Sequence, residues 1–497
     1  MKRGYMDFPV KLVADEGVFR GLAKQNLLFY QCLCELIDNA IAAKTEEQKF
    51  YINVVFDPHV DDRTLVDVYI TDNSRGMTLE MLTHALQLGA TPITTSRLNE
   101  HGFGLKNSLA TLSVDNGYWK LWTRSNASSI FFIEGPFRQE MIIRDNEGFP
   151  NIDFLPTSDI STLIKVTTRL SFIQGVQGRG APSKDLHTLR TWLVEHLGVL
   201  YRGYLEQDEE TNETSGVINV AIRNNTVRVP PIRVPIGKMT TTYVNVELCG
   251  TVHKLEYRYG VLDEVKRDKL VRGEKAKFYY QNNTPTQGID IRLGKRVIAT
   301  RQFETIWKTD NGQEQLSRHP KYNDFVGELL IPELPQGVLS TVNNKTDFNL
   351  DDPDWKNIFE QLNPIRPVHD IREKSESELR KKWLKMLRAT NPEDTVTDEH
   401  SVWPTGTRID VYRKTTDGNT IIYELKAGSG RPLDLYQLKM YWDGLILENE
   451  QPKEAILLVE EFNTALEEMA NKMNELTPPN KSKPYNFRIE RLKDKGL

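Results

Sequence analysis

Two groups of residues in this 497-residue sequence have the types and spacings that acid–base and metal-assisted chemistry uses. Glu35, Asp38 and Asn39 stand at i, i+3 and i+4 in ELIDNAIAA, which predicts that they share one face of a helix. A helix packed on a sheet does not present three polar groups in an otherwise apolar stripe without reason, the plain alternative being a solvated face. Asp72 opens DNSRGM directly after an apolar run, at the strand end where α/β proteins place ligands. Alone, it is equally an Asx turn. Thr95-Ser96-Arg97 and His101-Gly102-Phe103-Gly104-Leu105-Lys106 follow. Glycines let the backbone approach an anion, and a helix starting there adds exposed N–H groups, although one G-x-G is weak by itself. Far downstream, Asp410 precedes Glu424-Leu425-Lys426 by fourteen residues. Residues two apart on a strand point the same way, and TTDGN at 415–419 suits a hairpin that brings Asp410 beside Glu424 and Lys426. Two carboxylates and a lysine can hold a divalent ion and a water. The plain alternative is a solvated hairpin with an ordinary Glu–Lys contact.

The elements that must position these groups read as follows. Residues 22–43 carry apolar side chains at three- and four-residue steps and predict one helix. YINVVF at 51–56 and VDVYITD at 66–72 predict strands, LKNSLATLS at 105–113 a second helix, and 118–124 and 163–170 further strands. A helix is expected from about Asp185 to Leu205, then alternating segments of a second mixed domain to about residue 350. The proline-bearing stretch 351–371 reads as a linker. A third α/β unit follows, with a charged helix from Ser375, strands near 408–413 and 420–426, a helix at 434–447 and a strand at 455–460.

Length suggests about three domains. Hydrophobic residues at 39% and charged residues at 27% exclude a fibrous or wholly disordered chain. Three cysteines, Cys32, Cys34 and Cys249, make neither a disulfide framework nor a zinc site, and a reducing cytosol is the expected compartment. No apolar run approaches the roughly 20 residues of a membrane span. A net charge of −5 excludes a globally basic coat, so contact with nucleic acid must be local. The strongest local candidate is 265–301, with Lys266, Arg267, Lys269, Arg272, Lys275, Lys277, Arg292, Lys295, Arg296 and Arg301 around Tyr279 and Tyr280. Cations would neutralise phosphates and tyrosines would stack on bases, the alternative being a solvated surface. A second basic run, Arg380-Lys381-Lys382 with Lys385 and Arg388, lies near the second group.

In this order, ELIDNA, DNSRGM and GFGLK resemble the N, G1 and G2 boxes of the GHKL ATPases, which include the gyrase B subunit, MutL and MORC proteins. Thr162 in STLIKV looks like the family's later threonine. Gly-Leu-Lys and Asn344-Lys345-Thr346-Asp347-Phe348 are closest to the MORC branch, and the resemblance covers roughly residues 20–350. It implies ATP and Mg²⁺ as cofactors, with Glu35 as the base that polarises water and Asn39 as a metal ligand. Asp72 would accept from the adenine amino group, against Gly76 and Met77. Gly102, Gly104, Leu105 and Lys106 would cover the phosphates, Thr162 would line the pocket, and Lys345 would reach the terminal phosphate from the second domain. Three positions depart from the pattern: Ala42 in place of an Asp, and Ser74 and Ser161 in place of glycines. A histidine kinase shares the ATP fold, but no phosphoacceptor-helix motif precedes it here.

The second group is similar to the PD-(D/E)xK nuclease core over about 375–470. Asp410, Glu424 and Lys426 would be its catalytic residues, Asp410 and Glu424 its metal ligands, and Gln437 of Gln437-xxx-Tyr441 a further member. Either Glu376 or Glu378 would be the first-helix acid. The expected architecture is α/β and α+β multidomain. A GHKL (Bergerat) ATP-binding α/β sandwich spans 1–175, a transducer-like α/β domain 176–350, a linker 351–374 and a restriction-endonuclease-like α/β domain 375–497. The implied function is ATP-driven dimer closure on DNA with phosphodiester cleavage, as in bacterial restriction or anti-phage modules with partner subunits. The alternative is a MORC-like DNA clamp without cleavage.

Overall fold

The apolar stripe expected over 22–43 becomes a helix, α1 (Phe29–Ala42), in the computed structural model. Residues 27–45, 48–88, 96–99, 102–113, 117–125, 129–146, 148–155, 159–175, 185–208, 212–308, 315–339, 348, 352–368, 370–402, 407–479 and 481–497 are described, with 17, 18, 21 and 24. Two compact units divide the chain, Met1–Pro367 and Val368–Leu497. In α1 the first turn is closed by Gln31, whose Oε1 accepts the Leu28 N–H at 2.8 Å. Phe29, Leu33, Leu36, Ile37 and Ile41 of α1 are buried, each worth roughly 1.5–3 kcal/mol against exposure.

The first sheet of the first unit has the order β5-β4-β3-β6-β2-β1-β7-β8. Its strands are β1 (Phe50–Pro58), β2 (Leu65–Asp72), β3 (Trp119–Thr123), β4 (Ile130–Glu134), β5 (Arg144–Asn146), β6 (Thr162–Arg169), β7 (Gly216–Ile222) and β8 (Asn225–Arg228). The antiparallel β2–β6 and β3–β6 ladders set both Asp72 and Thr123 opposite Thr162. One face packs in a common core with α1, α2 (Leu79–Leu86), α3 (Gly104–Leu112) and α4 (Leu186–Leu200). On the other face Val55, Tyr69, Trp122 and Leu163 meet Leu155 and Ile160. Because β7 pairs in parallel with β1, this sheet runs past residue 175, where the sequence ended its first domain.

A second sheet has the order β12-β11-β13-β10-β9, built from β9 (Ile236–Leu248), β10 (Thr251–Leu262), β11 (Gly288–Leu293), β12 (Arg296–Gln302) and β13 (Phe325–Ile331). The stretch expected to be a linker holds a helix, α5 (Pro353–Leu362), whose Trp355, Ile358, Phe359 and Leu362 are buried with Trp307 and Phe325. Asp352 caps it by accepting the Asp354 N–H, and Pro353 fits a helix's first turn.

The second unit has one mixed sheet in the order β14-β15-β16-β17-β18. It comprises β14 (Thr395–Ser401), β15 (Arg408–Lys414), β16 (Thr420–Ser429), β17 (Glu454–Glu461) and β18 (Phe487–Arg491). The ladders are antiparallel up to β16 and parallel beyond it. Helix α6 (Asp370–Thr390) covers one face through Trp383, Leu384 and Leu387. Helices α7 (Pro432–Leu447) and α8 (Thr464–Asn474) cover the other through Leu435, Leu438, Trp442 and Leu466.

Candidate functional site

The first constellation forms where β2 ends. Asp72 Oδ1 accepts the Ser74 N–H at 2.9 Å, so the Asx turn exists, but more is built on it. The Ser161 N–H donates to the Asp72 carbonyl at 2.8 Å. Thr123 Oγ1 lies 3.1 Å from Thr162 Oγ1 and accepts the Met77 N–H at 3.0 Å. Gly76 has φ +64°, and a Cβ there would stand 1.7 Å from the Arg124 carbonyl oxygen. Only glycine lets this turn lie against the end of β3. Ser74, which departs from the family pattern, donates its hydroxyl to the Ala40 carbonyl at 2.6 Å and ties the turn to α1. Part of Asp72 stays accessible, yet the carboxyl is packed in protein. Burial pushes it up to about 6 against the opposing Ser74 bonds.

Glu35 reaches this region and the helix spacing sets Asn39 on its side of α1, whereas Asp38 takes other partners. At about 100° per residue, Asn39 falls about 40° from Glu35 on one side and Asp38 about 60° away on the other. That difference suffices to send Asp38 to other partners. It is fully buried, with Arg296 Nε 3.1 Å from Oδ1 and the Tyr201 hydroxyl donating to Oδ1 at 2.8 Å. All three lie within about 100° of arc on α1, as their spacing predicts, but Asp38 at one edge is taken by Arg296 and Tyr201. Glu35 meets the start of α3: a Cβ on Gly104 would lie 2.1 Å from Glu35 Oε2. Gly102 takes the left-handed conformation at φ +64° just before α3, and Leu105 packs against the core. Lys106 is buried and donates from Nζ to the Ala85 carbonyl at 2.8 Å, and burial pulls its ammonium down to about 8.

Thr95, His101, Asn344, Lys345 and Asp347 lie outside the described residues. The segments flanking two of these groups are nonetheless joined. Arg97 donates to the Leu339 carbonyl at 2.8 Å and the Pro335 carbonyl at 3.3 Å, and Gln336 Nε2 donates to the Ser96 carbonyl at 2.7 Å. Phe348, on the far side of Lys345, meets Trp355 at a tilt of 52° with ring centroids 4.5 Å apart.

The second constellation lies on β15 and β16. Asp410 Oδ2 accepts the Leu425 N–H at 2.9 Å, which fixes it beside Glu424. Lys426 Nζ is 2.6 Å from Glu424 Oε1 and 3.6 Å from Glu376 Oε2. Glu376 also accepts the Ala427 N–H, whereas Glu378 is exposed, so α6 brings Glu376 and not Glu378 to the site. Arg380 Nη1 is 3.5 Å from Asp410 Oδ1, and Nη2 is 2.8 Å from Glu399. Gln437 Nε2 donates to the Tyr441 hydroxyl at 2.6 Å. Burial, then the Asp410 charge, pushes Glu424 up to about 8. Burial opposes the Lys426 charge, but Glu424 and Glu376 outweigh it and hold the ammonium above its ordinary range.

A divalent cation fits part of this donor set. Glu424 Oε2 is buried with no hydrogen-bond donor among the described residues, and Asp410 presses a second carboxylate towards it. Mg²⁺ needs only one or two carboxylates because it keeps most of its waters. Among the described residues, no three His, Cys, Asp or Glu side chains gather into a fuller ligand group.

The basic stretch 265–301 is not the surface its composition predicts. Tyr279 and Tyr280 are buried, the first 2.9 Å from His196 Nδ1 and the second donating to Asp290 at 2.6 Å, so neither can stack on a base. Arg296 is held by Asp38, Arg292 by Glu206 and Glu328, and Arg267 by Asp268. Lys266, Lys269, Arg272, Lys275, Lys277 and Lys295 remain exposed. Strands β11 and β12 run through the core and carry part of the charge inward. Sequence reasoning missed Arg202, which is fully buried between Glu328 (2.7 Å) and Asp290 (3.0 Å). Arg202 stands in no motif; its partners lie far along the chain.

Among the described residues no helix is long and apolar enough to cross a membrane. No curated protein matches the chain. Residues 24–139 match the family described as Histidine kinase-, DNA gyrase B-, and HSP90-like ATPase, a span that contains α1, the β2 turn and α3. Residues 24–139 form a GHKL-type ATPase domain.

Proposed function

We propose that this chain is an ATP-gated DNA-processing enzyme of the MORC/MutL-like branch, with a metal-dependent endonuclease in its second unit. ATP is the substrate of the first site. Asp72 accepts from the adenine amino group, and Gly76 and Met77 let the ring lie against the turn. Glu35 takes the proton of the attacking water as its oxygen bonds to the terminal phosphorus and the bond to ADP breaks. Asn39 is the residue that would hold Mg²⁺, which supplies charge neutralisation across the phosphates. Lys345 would approach from beyond residues 335–339, which hydrogen bonds of Arg97 and Gln336 tie to residues 96–97. Nucleotide binding would then close two copies of the chain on DNA, since a ligand shifts a two-state equilibrium only through differential affinity.

At the second site, Asp410 and Glu424 would hold Mg²⁺, which supplies a Lewis acid at the scissile phosphate. Lys426 stabilises negative charge beside the nucleophile, Glu376 orients Lys426, and Gln437 with Tyr441 lines the approach. The observation that carries the nuclease reading is the buried Glu424 carboxylate, held at Oε1 by Lys426, beside Asp410, and without a donor to Oε2 among the described residues. A solvated hairpin would not bury it. The composition of an ATPase joined to a nuclease supports a role in bacterial restriction or anti-phage defence with partner subunits. The test is plasmid nicking in Mg²⁺, with and without ATP, beside phosphate release, for wild type, Asp410→Ala and Glu35→Ala. We expect Asp410→Ala to lose nicking and keep ATP turnover. Nicking by Asp410→Ala would replace the nuclease with the clamp reading.

A further inference from the structure

In sequence Asp38 falls between the two α1 residues that the ATPase reading uses, and nothing in that reading employs it. Its carboxylate is fully buried. Arg296 faces it with two nitrogens, Nε 3.1 Å from Oδ1 and Nη2 3.4 Å from Oδ2. Tyr201 donates its hydroxyl to Oδ1 at 2.8 Å, with the Cys34 carbonyl 3.0 Å away. The Arg296 guanidinium lies over the Tyr201 ring, 4.4 Å from its centroid, and donates to the Val297 carbonyl at 2.7 Å. Arg296 begins β12 in the second sheet, and Tyr201 directly follows α4. Two elements, β12 and the end of α4, therefore converge on one side chain of α1.

We infer that Asp38 and Arg296 form a positioning pair through which the second sheet sets the rotational phase of α1, and with it the aim of Glu35 and Asn39. The inference rests on the ATPase reading and adds to it a coupling between nucleotide chemistry and the sheet of β9–β13. Two considerations favour this over a purely stabilising role. Buried ion pairs add little net stability, because desolvating both ions offsets their attraction. The contact is also directional: a two-nitrogen grip plus a hydroxyl resists rotation of the helix about its axis, which apolar packing resists poorly. A small rotation carries the tip of Glu35 by about 1 Å, and misplacement on that scale costs about 100-fold in rate.

The experiment uses the full chain and four variants. Tyr201→Phe removes one hydroxyl, Asp38→Asn keeps the shape and removes the charge, and the double variant Asp38→Asn/Arg296→Gln leaves no unpaired buried ion should the single variant fail to fold. Steady-state phosphate release gives kcat and KM, thermal melting gives stability, and Arg296→Lys serves as the conservative partner. We expect kcat to fall about 10- to 100-fold in Asp38→Asn and in the double variant, with KM for ATP within about threefold of wild type. Tyr201→Phe and Arg296→Lys should fall between these and wild type. Folded variants with lowered melting temperature but unchanged kcat would overturn the inference, as would equal losses in kcat and affinity. Absence of turnover by wild type would instead overturn the ATPase reading, and the inference with it.

Discussion

Replacing Gly104 by alanine should separate nucleotide binding from hydrolysis with one methyl group. The three nearest atoms to a Cβ at this position all belong to Glu35: Oε2 at 2.1 Å, Cδ at 3.1 Å and Cβ at 3.5 Å. Gly104 opens α3 in a conformation alanine adopts freely, and inside a helix alanine exceeds glycine by about 1 kcal/mol. The backbone therefore accepts the change. Ordinary contact begins near 3.4 Å, so the Glu35 carboxylate must retreat by about 1.3 Å. A displacement of about 1 Å costs about 100-fold, and losing a general base altogether costs about 10²–10⁴-fold. We expect kcat for ATP to fall by about 100-fold while the dissociation constant, read with a fluorescent nucleotide, stays within about threefold. Phosphate release within threefold of wild type would refute the placement of Glu35 as base. So would a matching loss of binding.

Three further outcomes follow from the same geometry. Asp72 is raised to about 6, so the folded chain holds its proton more tightly than the unfolded chain and this group's contribution to stability falls as pH rises from about 4 to 6. ATP affinity runs the other way and should strengthen between pH 5 and 7, because the adenine amino group needs an ionised acceptor; calorimetric titration with flat affinity would count against Asp72. Arg97→Ala removes the donors to Pro335 and Leu339 and should abolish the compaction to a dimer that a non-hydrolysable ATP analogue induces, as should Lys345→Ala; unchanged sedimentation shifts would contradict this. Glu424 is raised to about 8, so a cation must displace its proton, and the Mg²⁺ concentration for half-maximal nicking should fall as pH rises from 6 to 8. A pH-independent requirement would remove Glu424 from the metal site.

The parts legible in the sequence are those written in local periodicity. Helix α1, strands β1 and β2, the turn at Asp72 and the β15–β16 hairpin all come from patterns within ten to twenty residues. So does the pairing of Asp410 with Glu424 and Lys426, because strand alternation and a turn suffice to compute it. Long-range partners are not written locally. Strand β7 joins β1 although Asn219 and Asn53 are 166 residues apart, and Asp38 turns away from Glu35 because Arg296 waits 258 residues on. The choice between Glu376 and Glu378 needed the packing of α6 on β16. The prolines of 351–371 masked α5, although Asp352-Pro353 was a readable start signal. In 265–301, charge counting could not tell Lys269, which is exposed, from Arg296, which is buried.

The central claim is that this chain hydrolyses ATP through Glu35 in a pocket built by α1, the β2 turn and the start of α3. Its most direct test is single-turnover phosphate release from ATP by wild type and Glu35→Ala, with bound nucleotide measured in the same samples. The account predicts bound ATP in both and phosphate release only in wild type. Release at the wild-type rate from Glu35→Ala, or no ATP bound by wild type, would contradict it.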